Sequence, residues 1–256
     1  MGNDVNERVL ALPRNYLFGP QEELLFNGFI GYQANIPNSI TADHIDRLYA
    51  NSFHLKYSQT IASESLPLFY PKQTVDNPDI SLRPKDLVQI ISYSVFCTGT
   101  GTDFSIFTSE FTPRSDTLKG RVLANQLTVG WGGHITPDLF DHVRKAGHVP
   151  NPYIILHDGH SRELGEEVIM QDMYREIKIL GWLYLPHEKD EISPFHLAHV
   201  ALLYMPSRNS LTVQPGELTK STNPCWRTLD QISTHSKLAP WSRELLPELE
   251  RQANKI

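Results

Sequence analysis

From Leu87 to Cys97 the chain is dominated by β-branched and aromatic residues, Leu87-Val88-Gln89-Ile90-Ile91-Ser92-Tyr93-Ser94-Val95-Phe96-Cys97. It breaks at Gly99-Thr100-Gly101 and resumes with Phe104-Ser105-Ile106-Phe107-Thr108. Two such runs around a glycine turn predict a β-hairpin. A polar connection then leads to a third strand ending at Leu127-Thr128-Val129-Gly130-Trp131-Gly132-Gly133-His134-Ile135, whose glycines require tight backbone geometry. Pro137 to Ala146 has Leu139, Phe140 and Val143 at helical spacing with Pro137 near the start, which predicts a short helix.

A Pro-Asn-Pro break follows, and residues 161–173 read as a second helix capped by Ser161 or Asp158. Ile177–Leu185 and His199–Tyr204 read as buried strands, and Ser242–Gln252, with Leu245, Leu246 and Leu249, as a closing amphipathic helix. Toward the N-terminus, residues 8–34 mix apolar runs with turns. Residues 37–85 are richer in Ser, Pro and Asp and read as a lid or extension, with one helix starting at Thr41 and running through Ile45-Asp46-Arg47. The predicted division is an extension over 1–85 packed on a core domain over 86–256.

Composition narrows the class. With 256 residues, 40% hydrophobic and 20% charged, the chain can bury a sizeable core. It lacks the run of roughly 20 apolar residues that a membrane helix needs. Its N-terminus carries acidic residues and no apolar leader, so the cytoplasm is the expected location. The formal charge of -6 gives no general pull toward nucleic acid. Cys97 and Cys225 are too few for a disulfide scaffold and are expected to be buried thiols.

The chemistry concentrates in Arg162-Glu163-Leu164-Gly165-Glu166-Glu167. On a helix, Glu163, Glu166 and Glu167 stand at i, i+3 and i+4 and project to one side within a turn. Hard oxygen ligands grouped in this way suit Mg²⁺ or Mn²⁺, and Arg162 can hold a carboxylate in place. The plain alternative is a solvated acidic face. Gly132-Gly133, after a strand and before the helix, favour a site, because a glycine turn brings backbone groups close to a metal–phosphate unit.

These residues resemble the Nudix box: Gly, five residues, Glu, seven residues, then Arg-Glu-aliphatic-x-Glu-Glu, one residue, Gly and an aliphatic. Gly133 matches the first glycine, and Arg162 to Glu167 match the central string throughout. The chain is further similar to a MutT-related phosphoesterase group through Val9-Leu10-Ala11-Leu12-Pro13-Arg14, Gly130-Trp131-Gly132-Gly133-His134-Ile135 and His199-Val200-Ala201-Leu202-Leu203-Tyr204. Two departures stand out. Arg162 follows Gly133 by 29 positions where the pattern has fourteen, so about fifteen residues are inserted. Leu139 occupies the place of the first box Glu, with Asp138, Asp141 or Asp158 as candidate substitutes, and Ile169 the place of the last Gly.

The resemblance implies an α/β fold: a Nudix-type α/β/α sandwich with a mixed sheet, an N-terminal extension and an insertion within the box. It implies hydrolysis of a nucleoside-diphosphate-linked or related small molecule. Arg162, Glu163, Glu166 and Glu167 would be the catalytic residues, and Glu163, Glu166, Glu167 and the Gly133 carbonyl would hold Mg²⁺ or Mn²⁺. The alternative is a nucleotide-binding sensor of weak activity. A homodimer is permitted without being required.

Other residues have competing readings. His134 is either a phosphate contact or a turn residue bonded to backbone. His157, Asp158 and His160 resemble a metal cluster, but Gly159 among them reads as a loop. His196 and His199 should point to opposite faces of a strand. Trp131, Phe107 and Tyr93 are either base-stacking or core residues, and Trp226 and Trp241 read as packing anchors.

Overall fold

The computed structural model describes residues 8–18, 21, 25–32, 41, 43–47, 69–75, 79–113, 122–145, 152–186 and 192–255. Most of the expected lid or extension over 37–85 lies outside them. The Leu87–Cys97 run forms β4 (Leu87–Thr98), the strand around which the sheet is organised. Along one edge β4 pairs in parallel with β10 (His196–Tyr204), which pairs with β9 (Glu176–Tyr184), and β9 with β2 (Gly28–Gly31). Along the other edge it meets in succession β1 (Arg8–Pro13), His134, β7 (Gly130–Trp131) and β5 (Ser105–Phe111). Beyond β5 lies β12 (Ser221–Thr228), while β6 (Leu127–Thr128) pairs with the end of β5 on the edge that faces β4. The expected mixed sheet is present. Because β1 and β2 are strands of that same sheet, a division at residue 86 passes through it.

Side chains alternate across β4 with the two-residue period of a strand. Val88, Ile90 and Phe96 face one way, Ile91, Tyr93, Val95 and Cys97 the other. On the first side lie α4 (Pro137–Lys145) and the 16-residue α5 (Pro152–Glu167), which bury Leu139, Ile155, Leu156 and Leu164. On the second lie α6 (Leu229–Ser233) and α7 (Pro240–Ala253), which bury Ile232, Leu245 and Leu249. Helices thus cover both faces of the sheet, because each face carries a row of apolar side chains that water would otherwise meet. Among the described residues no helix is long and apolar enough to cross a membrane.

Residues 43–47 are helical, and the Thr41 hydroxyl accepts from the His44 amide at 3.4 Å, as an N-cap does. The second predicted helix, over 161–173, is corrected at both ends. It begins at Pro152 and stops at Glu167, and residues 168–170 form β8 (Val168–Met170), paired with β11 (Leu211–Val213). Gly159, read as a loop residue, lies inside this helix: a Cβ there would stand 3.3 Å from Ile135 Cγ1, so its small size lets α5 come close to the chain after β7. The expected burial of both thiols holds for Cys97 and fails for Cys225, which is exposed. Cys225 follows Pro224 at a bulge in the edge strand β12, where side chains turn to solvent.

Candidate active site

The site is assembled where the turn after β7 passes under the last turns of α5. Three glycines make that turn. A Cβ on Gly130 would fall on the Tyr93 ring, and one on Gly132, whose φ is +144°, would fall 2.1 Å from the Ser92 carbonyl oxygen. Between them Trp131 donates its indole N–H to the Phe107 carbonyl at 3.1 Å and stacks on the Phe107 ring. Leu164 and Val168 pack in the same cluster as Trp131, so the C-terminal half of α5 is anchored to this turn. Trp131, Phe107 and Tyr93 are all buried, which is the core reading of these aromatics.

Gly133 carries the closest approach. A Cβ built on it would stand 2.5 Å from Glu163 Oε2, so only glycine leaves room for that carboxylate, itself 7% exposed. The Gly133 carbonyl, expected as a metal ligand, accepts from the Ser92 amide at 3.0 Å and lies 3.4 Å from the Ser92 hydroxyl, and a carbonyl oxygen so bonded keeps a lone pair for a cation. The observed part Gly133 plays is to make space.

Arg162 ties the turn together. Its guanidinium donates to Glu163, to Glu166 at 2.6 Å and to the His134 carbonyl. The Glu166 side chain is 57% exposed and that of Arg162 25%, so the pair opens to solvent at the helix surface while Glu163 is held inside. Glu167 is partly buried, and its carbonyl accepts from the Gln214 amide at 2.9 Å. The Gln214 side chain also reaches the Gly165 carbonyl at 3.3 Å. Gln214 thus satisfies carbonyls that a helix C-terminus leaves without partners. It was invisible in the sequence, because a lone Gln after a short strand carries no signal.

As they stand, no three His, Cys, Asp or Glu side chains among the described residues are arranged to hold an ion; Arg162 lies between two of the three carboxylates. The donor set nevertheless fits a hard divalent cation in chemistry, being all oxygen and grouped within about one helical turn, with Glu163 seated on a glycine cradle. Leu139, at the place of the first box Glu, is in the core at 7% exposure beside Ile135 and Ile155. Of the candidate substitutes, Asp138 and Asp141 are exposed on α4. Asp158 lies 3.8 Å from His157 and five residues before Glu163, which on a helix turns it well away from the carboxylate cluster.

The histidines separate. The His134 ring lies beside that of His196, with centroids 5.9 Å apart, and its backbone carbonyl is what reaches Arg162. His196 and His199 do point to opposite faces: His196 toward Trp241 of α7, His199 toward α5. His157 is exposed, whereas His160 is fully buried and bonded to His199 and Ser94, so the expected loop cluster is divided by the helix. Trp226 packs on Phe107 and Trp241 on Tyr93, as packing anchors do.

No family model matches the sequence, and no curated protein matches it. Solved structures do. Tm1382, a candidate Nudix hydrolase, superposes with a TM-score of 0.56 over 96% of this chain and 100% of its own, at 16% identity. The NUDIX domain of Shewanella oneidensis NrtR, solved with ADP ribose, gives 0.41 over 66% of this chain and 87% of its own, at 11% identity. The fold of this chain is the Nudix fold.

Proposed function

We propose that the chain is a divalent-metal-dependent hydrolase of a nucleoside-diphosphate-linked or related diphosphate, with Arg162, Glu163, Glu166 and Glu167 as its catalytic residues. The observation that carries this reading is the seating of Glu163 on Gly133 while one guanidinium bonds both Glu163 and Glu166. A merely solvated acidic face needs neither a glycine beneath a buried carboxylate nor a shared arginine.

Glu163, Glu166 and Glu167, with the Gly133 carbonyl, are the groups that would hold Mg²⁺ or Mn²⁺. Bound there, the ion would neutralise the diphosphate and make an attacking water more acidic. Arg162 orients the carboxylates and offsets their mutual repulsion within one helical turn. Gly133 keeps the inner face of the site free of side-chain bulk. Trp131 and Gln214 fix the turn from below and from its C-terminal end.

The burial of Leu139 favours a second reading, a Nudix-fold nucleotide sensor with little turnover, because the place of one box carboxylate is given to the core. The two readings part in one assay. Nucleoside triphosphates, nucleotide sugars and dinucleotides are offered with Mg²⁺ or Mn²⁺ to the wild type and to Glu166→Gln. Metal-dependent release of product that is lost in the variant supports the hydrolase. Ligand binding by both proteins without turnover supports the sensor.

A further inference from the structure

The inward side of α5 is apolar at Ile155, Leu156 and Leu164 and then breaks its own pattern with His160, which is fully buried. Its Nδ1 lies 2.8 Å from the Ser94 hydroxyl of β4 and its Nε2 3.0 Å from Nδ1 of His199 on β10. Burial holds both imidazoles well below the ordinary histidine pKa, so both rings are neutral at pH 7. The His199 ring in turn meets the Trp182 indole edge-on at 4.9 Å. The Trp182 N–H donates to Asp46 at 2.8 Å, and Asp46 also accepts from Tyr32 at 2.9 Å and from Tyr153 at 3.4 Å. Tyr153 is in the first turn of α5. Polar ties therefore hold this helix at its beginning and at its middle, the second one a helical turn before Glu163.

We propose that the Ser94–His160–His199 chain is a register lock that positions the carboxylate turn of α5 over Gly133; this rests on the reading of that turn as the metal-holding site. Aliphatic side chains in place of Ser94, His160 and His199 would fill the same space without desolvating polar atoms, so the chain is a poor way to gain stability. What it supplies is direction. An apolar ridge tolerates a slide or rotation along the sheet, whereas a hydrogen bond near 3 Å does not. A slip of one turn would carry the His160 ring about 5.4 Å from both partners. The connection leaves room for such a lock: residues 134–151, which include α4, separate Gly133 from the start of α5, so Gly133 does not by itself fix how far along the sheet the helix sits. Ser94, His160 and His199 are positioning residues and touch no substrate.

The test compares wild type, the double variant His160→Leu with His199→Leu, and the conservative His160→Gln. The readouts are Mn²⁺ affinity by electron paramagnetic resonance with the metal alone, kcat and KM, and hydrogen exchange along residues 152–167. The double variant is expected to fold, with a modest stability cost from the Ser94 hydroxyl that loses His160, yet to lose about tenfold or more in Mn²⁺ affinity and in kcat. Its KM should hold, and exchange should rise in residues 160–167 and not in α7. His160→Gln, which keeps one of the two bonds, should fall between. Wild-type affinity, kcat and exchange in the double variant would overturn the lock. If that variant does not fold, wild-type values in His160→Gln do the same. Should the wild type itself neither bind Mn²⁺ nor cleave any diphosphate, the hydrolase reading fails, and the exchange comparison alone decides the lock: faster exchange in residues 160–167 supports it and unchanged exchange overturns it.

Discussion

The carboxylate of Glu163 rests on the Cα of Gly133, so closely that a Cβ there would stand 2.5 Å from Oε2. The obstructing atoms belong to a side chain and not to backbone, so Gly133→Ala can be absorbed by moving the carboxylate. The fold should survive, while metal-dependent turnover falls about tenfold or more as Glu163 is displaced from its place beside Arg162. A thermal melt beside a kinetic assay checks this. Unchanged turnover would remove Gly133 from the site.

Gly132→Ala makes the contrast. There the Cβ would meet the Ser92 carbonyl oxygen at 2.1 Å with φ at +144°, and neither the strand nor the dihedral can give way cheaply. The expected loss is about 1–3 kcal/mol or more of folding stability, measured by urea denaturation. A substitution without effect on stability would mean that the turn is looser than its geometry.

How much of this was legible follows from which signals are local. The strands β4, β9 and β10 and the helices α4 and α7 were readable because periodicity and turn chemistry lie within each segment. The start of α5 was not: His157-Asp158-Gly159-His160 looks like a loop, and becomes helix interior only because Ser94, His199 and Ile135 receive it from elsewhere in the chain. β12 was missed because Asn223-Pro224 reads as a turn; the sheet accepts it at its edge through a bulge, with Asn223 at φ 51°. In the candidate site, Arg162 and the three glutamates could be read from their spacing only together with Gly132-Gly133 and the resemblance to the Nudix box. That Gly133 acts through its missing Cβ, and Gln214 through its amide, could not.

Acid should destabilise the fold in a defined window. Burial lowers the pKa of His199 from 6.5 to about 3 and that of His160 well below 6.5. Below about pH 6.5 the unfolded chain therefore binds protons that the native pair refuses, so stability present at neutral pH is lost as pH falls. Each histidine contributes a slope of up to about 1.4 kcal/mol per pH unit. For His199 the loss runs on until its folded pKa near 3 is reached. Denaturation midpoints taken between about pH 7 and 5 should decline, and less so in His199→Leu. The same slope in the variant would show that other groups carry it.

Arg162→Lys keeps the charge and discards the fork. One ammonium cannot bond Glu163, Glu166 and the His134 carbonyl together as the guanidinium does. The protein should remain folded, with kcat reduced about tenfold or more. A lysine variant as active as wild type would show that Arg162 supplies only charge.

Leu139→Glu asks whether the missing box carboxylate can be restored. In the family pattern this substitution completes the ligand set, but here Leu139 packs beside Ile135 and Ile155 in the core. A carboxylate there would be buried without a cation or donor, at a cost of about 3 kcal/mol or more. Lower stability and no gain in turnover are therefore expected, from a urea titration and the same hydrolysis assay. Higher metal-dependent turnover with unchanged stability would mean that position 139 can face the acidic turn, and that the core placement of α4 is not the one the working protein uses.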